Sequence, residues 1–138
     1  MRELTARQDD SFNQLLFDAD TVQRLLSLLR KYGREGDTTN CMLALRVLGD
    51  MMASAEAKEG VEAFISNGGL ADLQNLLLSE RADICRTALW VLSNLACDSA
   101  LAAEKIVKSA AFTTAIEKLH GNCEISREAF FAVGYALN

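Results

Sequence analysis

The stretch RTALWVLSNLA, Arg86 to Ala96, decides how the chain is read. It holds the only tryptophan, Trp90, with an asparagine, Asn94, four residues later. Residues at that spacing share one face of an α-helix. On a buried face Asn94 would be an expensive neighbour. On a solvated face Trp90 would serve nothing. Around the pair, Ile84, Ala88, Leu89, Val91, Leu92 and Leu95 recur at helical spacing and form a wide apolar stripe. A helix is expected, and the open question is what its Trp/Asn face meets.

The helix has relatives within the chain. NCMLALRVLGDMM (Asn40 to Met52) aligns with ICRTALWVLSNLA (Ile84 to Ala96) at an offset of 44 residues, Cys41 on Cys85, Ala44 on Ala88 and Leu48 on Leu92. REAFFAVGYAL (Arg127 to Leu137) aligns at 41, Ala129 on Ala88 and Phe131 on Trp90. Shorter segments precede each. GLADLQNLL (Gly69 to Leu77) matches AFTTAIEKL (Ala111 to Leu119) at 42 and TVQRLLSLL (Thr21 to Leu29) at 48. EAFISNGG (Glu62 to Gly69) matches EKIVKSAA (Glu104 to Ala111), and Leu16 and Phe17 match Phe64 and Ile65. The change from 48 to 44 puts four extra residues in KYGREGDTTN (Lys31 to Asn40), whose glycine and aspartate suit a surface loop. NGG at Asn67 to Gly69 suits a left-handed helix end. Ser99 is placed to cap the next short helix.

Three copies follow, at about 1–54, 55–98 and 99–138, each a short helix, a second helix and a longer third helix. One such unit cannot bury its own apolar face. The expected fold is a single all-α domain, a right-handed α-solenoid of stacked three-helix repeats, by analogy with known repeat architectures.

Composition agrees. Of 138 residues, 50% are hydrophobic and 24% charged, which marks a globular chain. Proline is absent, and helix formers abound. A net charge of −5 argues against binding a nucleic-acid backbone and weakly permits a basic partner. No apolar run approaches the roughly 18 residues of a membrane span. The start, MRELTARQDDSFNQ, has no signal-peptide apolar region, so a cytoplasmic or nuclear location is expected. Cys41, Cys85, Cys97 and Cys123 form no C-x-x-C pair, and the sole histidine, His120, is remote from them in sequence. No metal or other cofactor is expected; the cysteines read as reduced, buried thiols. There is no phosphate loop or nucleophile elbow, and NGGLAD follows no strand, so no enzyme is expected.

The period, the three-helix order, the small residue between first and second helices (Gly69, Ala111) and the long third helix resemble armadillo-repeat proteins over nearly the whole chain. More narrowly, RTALWVLSNLA resembles the third-helix signature of the importin-α family, Trp, three residues, then Asn. The resemblance implies a concave face of third helices along which an extended basic peptide runs. Asparagine amides would bond the peptide backbone, and tryptophan faces would form slots for Lys or Arg stems. Trp90 and Asn94 match in full. Phe131 and Tyr135 match in part, since REAFFAVGYAL is similar to a variant repeat with Tyr for Asn. Arg46 and Asp50 hold these positions in the first copy and do not match. Arg86 and Arg127 stand four residues before Trp90 and Phe131. A ladder of several pairs is usual, and here one rung is complete. Arg46 in the slot position would repel a cation, and residues 1–20 carry only Arg2 and Arg7 as cations, unlike a basic autoinhibitory arm.

The pair also has a reading from its chemistry. An asparagine amide both donates and accepts, as an extended backbone does. An indole face attracts a cation by roughly 0.5–2 kcal/mol. Against this, Trp90 can be an inter-repeat core residue, Asn94 a partner of helix-end carbonyls, and Tyr135 an inter-repeat contact. The arginines can form a solvated face, or a column for an acidic segment as in catenin-like grooves. The expected function is a protein-binding armadillo module for an extended, nuclear-localisation-type segment. Alternatives are an armadillo-type nucleotide-exchange factor for Hsp70 chaperones and a self-associating scaffold. Because AFFAVGYALN would leave apolar surface at the end, the chain is expected to be a piece of a longer solenoid or to pair with another copy.

Overall fold

The apolar spacing read above produces helices across the described residues. The computed structural model describes residues 19–52, 58–98, 100–119 and 134. The helices are α1 (Ala19–Glu35), α2 (Thr38–Met52), α3 (Lys58–Ser66), α4 (Gly69–Leu77), α5 (Ala82–Asp98), α6 (Ala100–Val107) and α7 (Ala110–Leu119). The protein is all-helical over these residues. None of the helices is long and apolar enough to cross a membrane. The first helix of copy one, the third helix of copy three and the Ser99 cap lie outside the described residues.

Helices whose sequences align lie beside one another: α2 packs on α5, and α4 on α7. α5 also meets α3, α4 and α6, so it runs through the middle. Its apolar stripe is buried accordingly: Ala88, Leu89, Val91, Leu92 and Leu95 have no exposed surface, and Ile84 and Cys85 have almost none. Leu26, Leu45 and Leu48 from copy one, Phe64, Leu73 and Leu77 from copy two, and Ile106 and Ala115 from copy three join the same core. Burial of each such large side chain contributes about 1.5–3 kcal/mol.

The junction of α3 and α4 is built as NGG suggests. Gly68 is left-handed, with φ 82°. Its N–H donates to the Ile65 carbonyl at 3.2 Å, while the Asn67 side-chain amide donates to the Ala63 carbonyl at 2.7 Å. Arg30 of α1 reaches across the corner: Nη2 donates to the Asn67 carbonyl at 2.7 Å and to Asp72 Oδ2 at 2.8 Å, and Nε to Asp72 Oδ1 at 3.1 Å. Gly69 is required for packing. A Cβ there would overlap the Phe64 ring. Copy three has Ile106 and Ala111 at these positions, both buried, so a smaller side chain accompanies a larger one.

One connector differs from expectation. Lys31 to Asn40 is not a loop: α1 continues to Glu35 and α2 begins at Thr38. Arg30, Lys31, Arg34 and Glu35 are good helix formers, and Tyr32 packs against the core. Their gain exceeds the roughly 1 kcal/mol that Gly33 costs inside a helix. The stop comes at Gly36, φ 72°, where the Asp37 N–H donates to the Tyr32 carbonyl at 2.9 Å and the Gly36 N–H to the Gly33 carbonyl at 3.4 Å. The Asp37 carboxylate then caps α2 by accepting from the Asn40 N–H at 3.1 Å. The four extra residues are an added helical turn.

Cys41 and Cys85, paired by the repeat, are both buried free thiols, whereas Cys97 is exposed. Burial pushes both buried thiols above the ordinary value.

Gly69→Ala should lower stability in urea by about 1–3 kcal/mol through overpacking. Adding Phe64→Ile should recover part of that loss; strictly additive effects would show that the two residues do not share the space. An alkylating reagent should label Cys97 in the native protein but Cys41 and Cys85 only in denaturant, as read by peptide mass mapping. Since the folded state holds those two protons more tightly, their contribution to stability is present below the ordinary thiol pKa of 9.0 and is lost as pH rises through the raised values.

Candidate functional site

The faces of α2 and α5 that escape the core lie side by side. On α2 these carry Met42, Leu43, Arg46, Val47 and Asp50, and on α5 they carry Asp83, Arg86, Thr87 and Trp90. Together they line an open groove of about 850 Å³. Leu43 is 55% exposed and Val47 39%, so its α2 wall is apolar as well as charged.

Arg46, Asp50, Arg86 and Trp90, selected from the repeat alignment, all line this groove. Asn94 stands one turn beyond Trp90 and bonds elsewhere: its Nδ2 donates to the carbonyl of Gly49 at 2.9 Å. Phe131, Tyr135 and Arg127 lie outside the described residues.

Gly49 is the residue that sequence reasoning missed. The six-membered ring of Trp90 lies against its α-carbon, so that a Cβ there would overlap the ring, with Cε3 and Cη2 both at 2.8 Å. Gly49 is buried near the end of α2. Asn94 supplies a donor from the neighbouring helix. The Trp/Asn face therefore meets one residue twice, indole on α-carbon and amide on carbonyl. A signal was available: the aligned positions are Gly49, Ser93 and Gly134, small in every copy. Trp90 remains half-buried and also forms part of the groove wall. The bond to Gly49 engages one of the two N–H donors of the Asn94 amide.

The charges differ in their freedom. Arg81 grips Asp83 with Nε to Oδ1 at 3.1 Å and Nη2 to Oδ2 at 2.8 Å. That grip, more than the Ile84 N–H at 2.9 Å, holds the Asp83 carboxyl below its usual range. Nη1 of Arg81 also donates to Thr38 Oγ1 at 2.9 Å, tying the starts of α2 and α5. Arg46, Asp50 and Arg86 form no ion pair among the described residues. A second cavity of about 410 Å³ lies beside Arg30 and Asp72, which already satisfy each other. No group of three or more potential metal ligands is gathered among the described residues.

No protein-family model matches the chain, and no curated protein matches it. Among solved structures, the crystal structure of an engineered protein from a structural genomics consortium is similar, with a TM-score of 0.78 at 24% identity. The match covers 91% of this chain and 49% of the engineered one, so this chain spans about half its length. At that identity the likeness is one of fold.

Gly49→Ala should displace the Trp90 ring, lower urea stability by about 1–3 kcal/mol and shift the tryptophan emission. Asn94→Ala should cost about 1 kcal/mol by removing the interhelical hydrogen bond to the Gly49 carbonyl. Unchanged unfolding midpoints in both variants would refute the contact.

Proposed function

We propose that the chain is an armadillo-type solenoid module that binds an extended segment of a partner protein along the α2/α5 face, in the cytoplasm or nucleus. One observation carries this reading. Four of the positions chosen from the repeat alignment and the family resemblance, Arg46, Asp50, Arg86 and Trp90, line a single open groove between two helices whose sequences align, beside the exposed Leu43 and Val47, and Arg46, Asp50 and Arg86 form no ion pair among the described residues. The side-by-side packing of α2 with α5 and of α4 with α7 supports the solenoid part, since each added copy would lengthen the face by one step. Such a surface suits an extended chain, whose side chains alternate while its backbone amides and carbonyls stay available.

The importin-α resemblance implies a basic, nuclear-localisation-type occupant. Its lysine stem would lie on the open surface of Trp90, with Asp50 as the nearby carboxylate. Arg46 and Arg86 in the same groove oppose that charge.

Trp90 is the sole tryptophan, so its emission reports on the groove. Titration with a nuclear-localisation peptide and a panel of unstructured peptides of other charge should give a saturable change for at least one. For that peptide, labelled and followed by anisotropy, Trp90→Ala should weaken binding about tenfold or more, equivalent to about 1.4 kcal/mol. If no peptide moves the Trp90 emission, the proposal fails.

A further inference from the structure

We infer that the α2/α5 groove selects an acidic segment, one carrying carboxylates beside a bulky apolar side chain. This rests on the extended-peptide reading above and assigns the chemistry of the occupant.

The charges that line the groove are Arg46, Asp50, Asp83 and Arg86. Asp83 is taken: Arg81, from outside the groove lining, holds both its oxygens. That leaves two guanidinium groups and one carboxylate without ion-pair partners among the described residues. Arg46 projects from α2 and Arg86 from α5, so the cations stand on opposite walls. Helices packed together have axes about 8–10 Å apart, within reach of two long arginine side chains directed at one ligand. A guanidinium fork matches a carboxylate bidentately, which favours Asp or Glu in the occupant.

The apolar component comes from Leu43 and Val47, one turn apart on α2, with Trp90 opposite. These surfaces would receive one bulky side chain of the segment. On an extended chain, residues two apart point the same way at a spacing of about 6.6–6.8 Å. Carboxylates flanking a leucine-like residue therefore match an arginine beside an apolar patch. A basic segment would face both arginines with only Asp50 to receive it. The net charge of −5 does not reverse this, because distant surface charges are screened beyond about 8 Å at physiological salt.

The test uses two labelled peptides of equal length with leucine at the same positions, one with Asp and one with Lys at every charged position. Binding to the full chain is followed by anisotropy at low and physiological salt. The Asp probe should bind at least about tenfold more tightly, with an advantage that shrinks as salt rises. Arg46→Glu with Arg86→Glu, both at exposed positions and checked for folding by circular dichroism, should reverse the preference. Asp83→Asn should leave a marked preference for the Asp probe. Equal or tighter binding of the Lys probe would overturn the charge assignment and leave the peptide-binding reading standing. Binding of neither probe, with Trp90 emission unmoved by any peptide, would overturn both. Self-association abolished by the paired arginine changes would make a second copy the occupant and overturn the acidic-segment assignment.

Discussion

The approach of Trp90 and Asn94 to Gly49 sets the relation between α2 and α5, on which the groove and much of the core depend. Only a residue without a side chain lets the indole lie directly on the helix backbone. The Asn94 amide bonds the Gly49 carbonyl from the neighbouring helix and so fixes the height of α5 along α2. Fixing these two contacts fixes the register of α5 on α2. Register then determines which side chains turn inward, Leu89 and Leu92 among them, and which stand at the edge.

The same device occurs at the α3/α4 corner. There the Phe64 ring lies against Gly69, and copy three has Ile106 with Ala111 instead. An aromatic ring against glycine brings two backbones close while still burying a large apolar area. At the corner the ring is wholly buried. At the α2/α5 contact it is half-buried, so one residue both locks two helices and walls a groove. This accounts for a tryptophan at the edge of the core rather than within it.

The ion pairs follow a related division. Arg30–Asp72 ties α1 to α4, and Arg81–Asp83 sits at the start of α5 while Arg81 also reaches Thr38 on α2. The Arg81–Asp83 pair is exposed, and such pairs add little stability. Their larger effect here is to determine which charges remain available. By engaging Asp83, Arg81 leaves Arg46, Arg86 and Asp50 as the groove charges without an ion pair among the described residues.

Local periodicity made much of this legible. Helical spacing places Ile84, Ala88, Leu89, Val91, Leu92 and Leu95 on the buried side of α5, and they are buried. The repeat alignment pairs Cys41 with Cys85, both in the core, and selects Arg46, Asp50, Arg86 and Trp90 for one groove. The NGG turn foretells a left-handed glycine, found at Gly68. These features depend on residues a turn or two apart, or on one pattern recurring. Lys31 to Glu35 misled because glycine and charge suggest a loop, whereas the contact of Tyr32 with the core keeps the segment helical. The roles of Gly49 and Asn94, and the neutralisation of Asp83, came only from the tertiary structure. Asn94 and Gly49 are 45 residues apart, and no local pattern states how far one helix slides along another. That offset is set by how the side chains of both helices interlock, and it alone determined what the Trp/Asn face would touch.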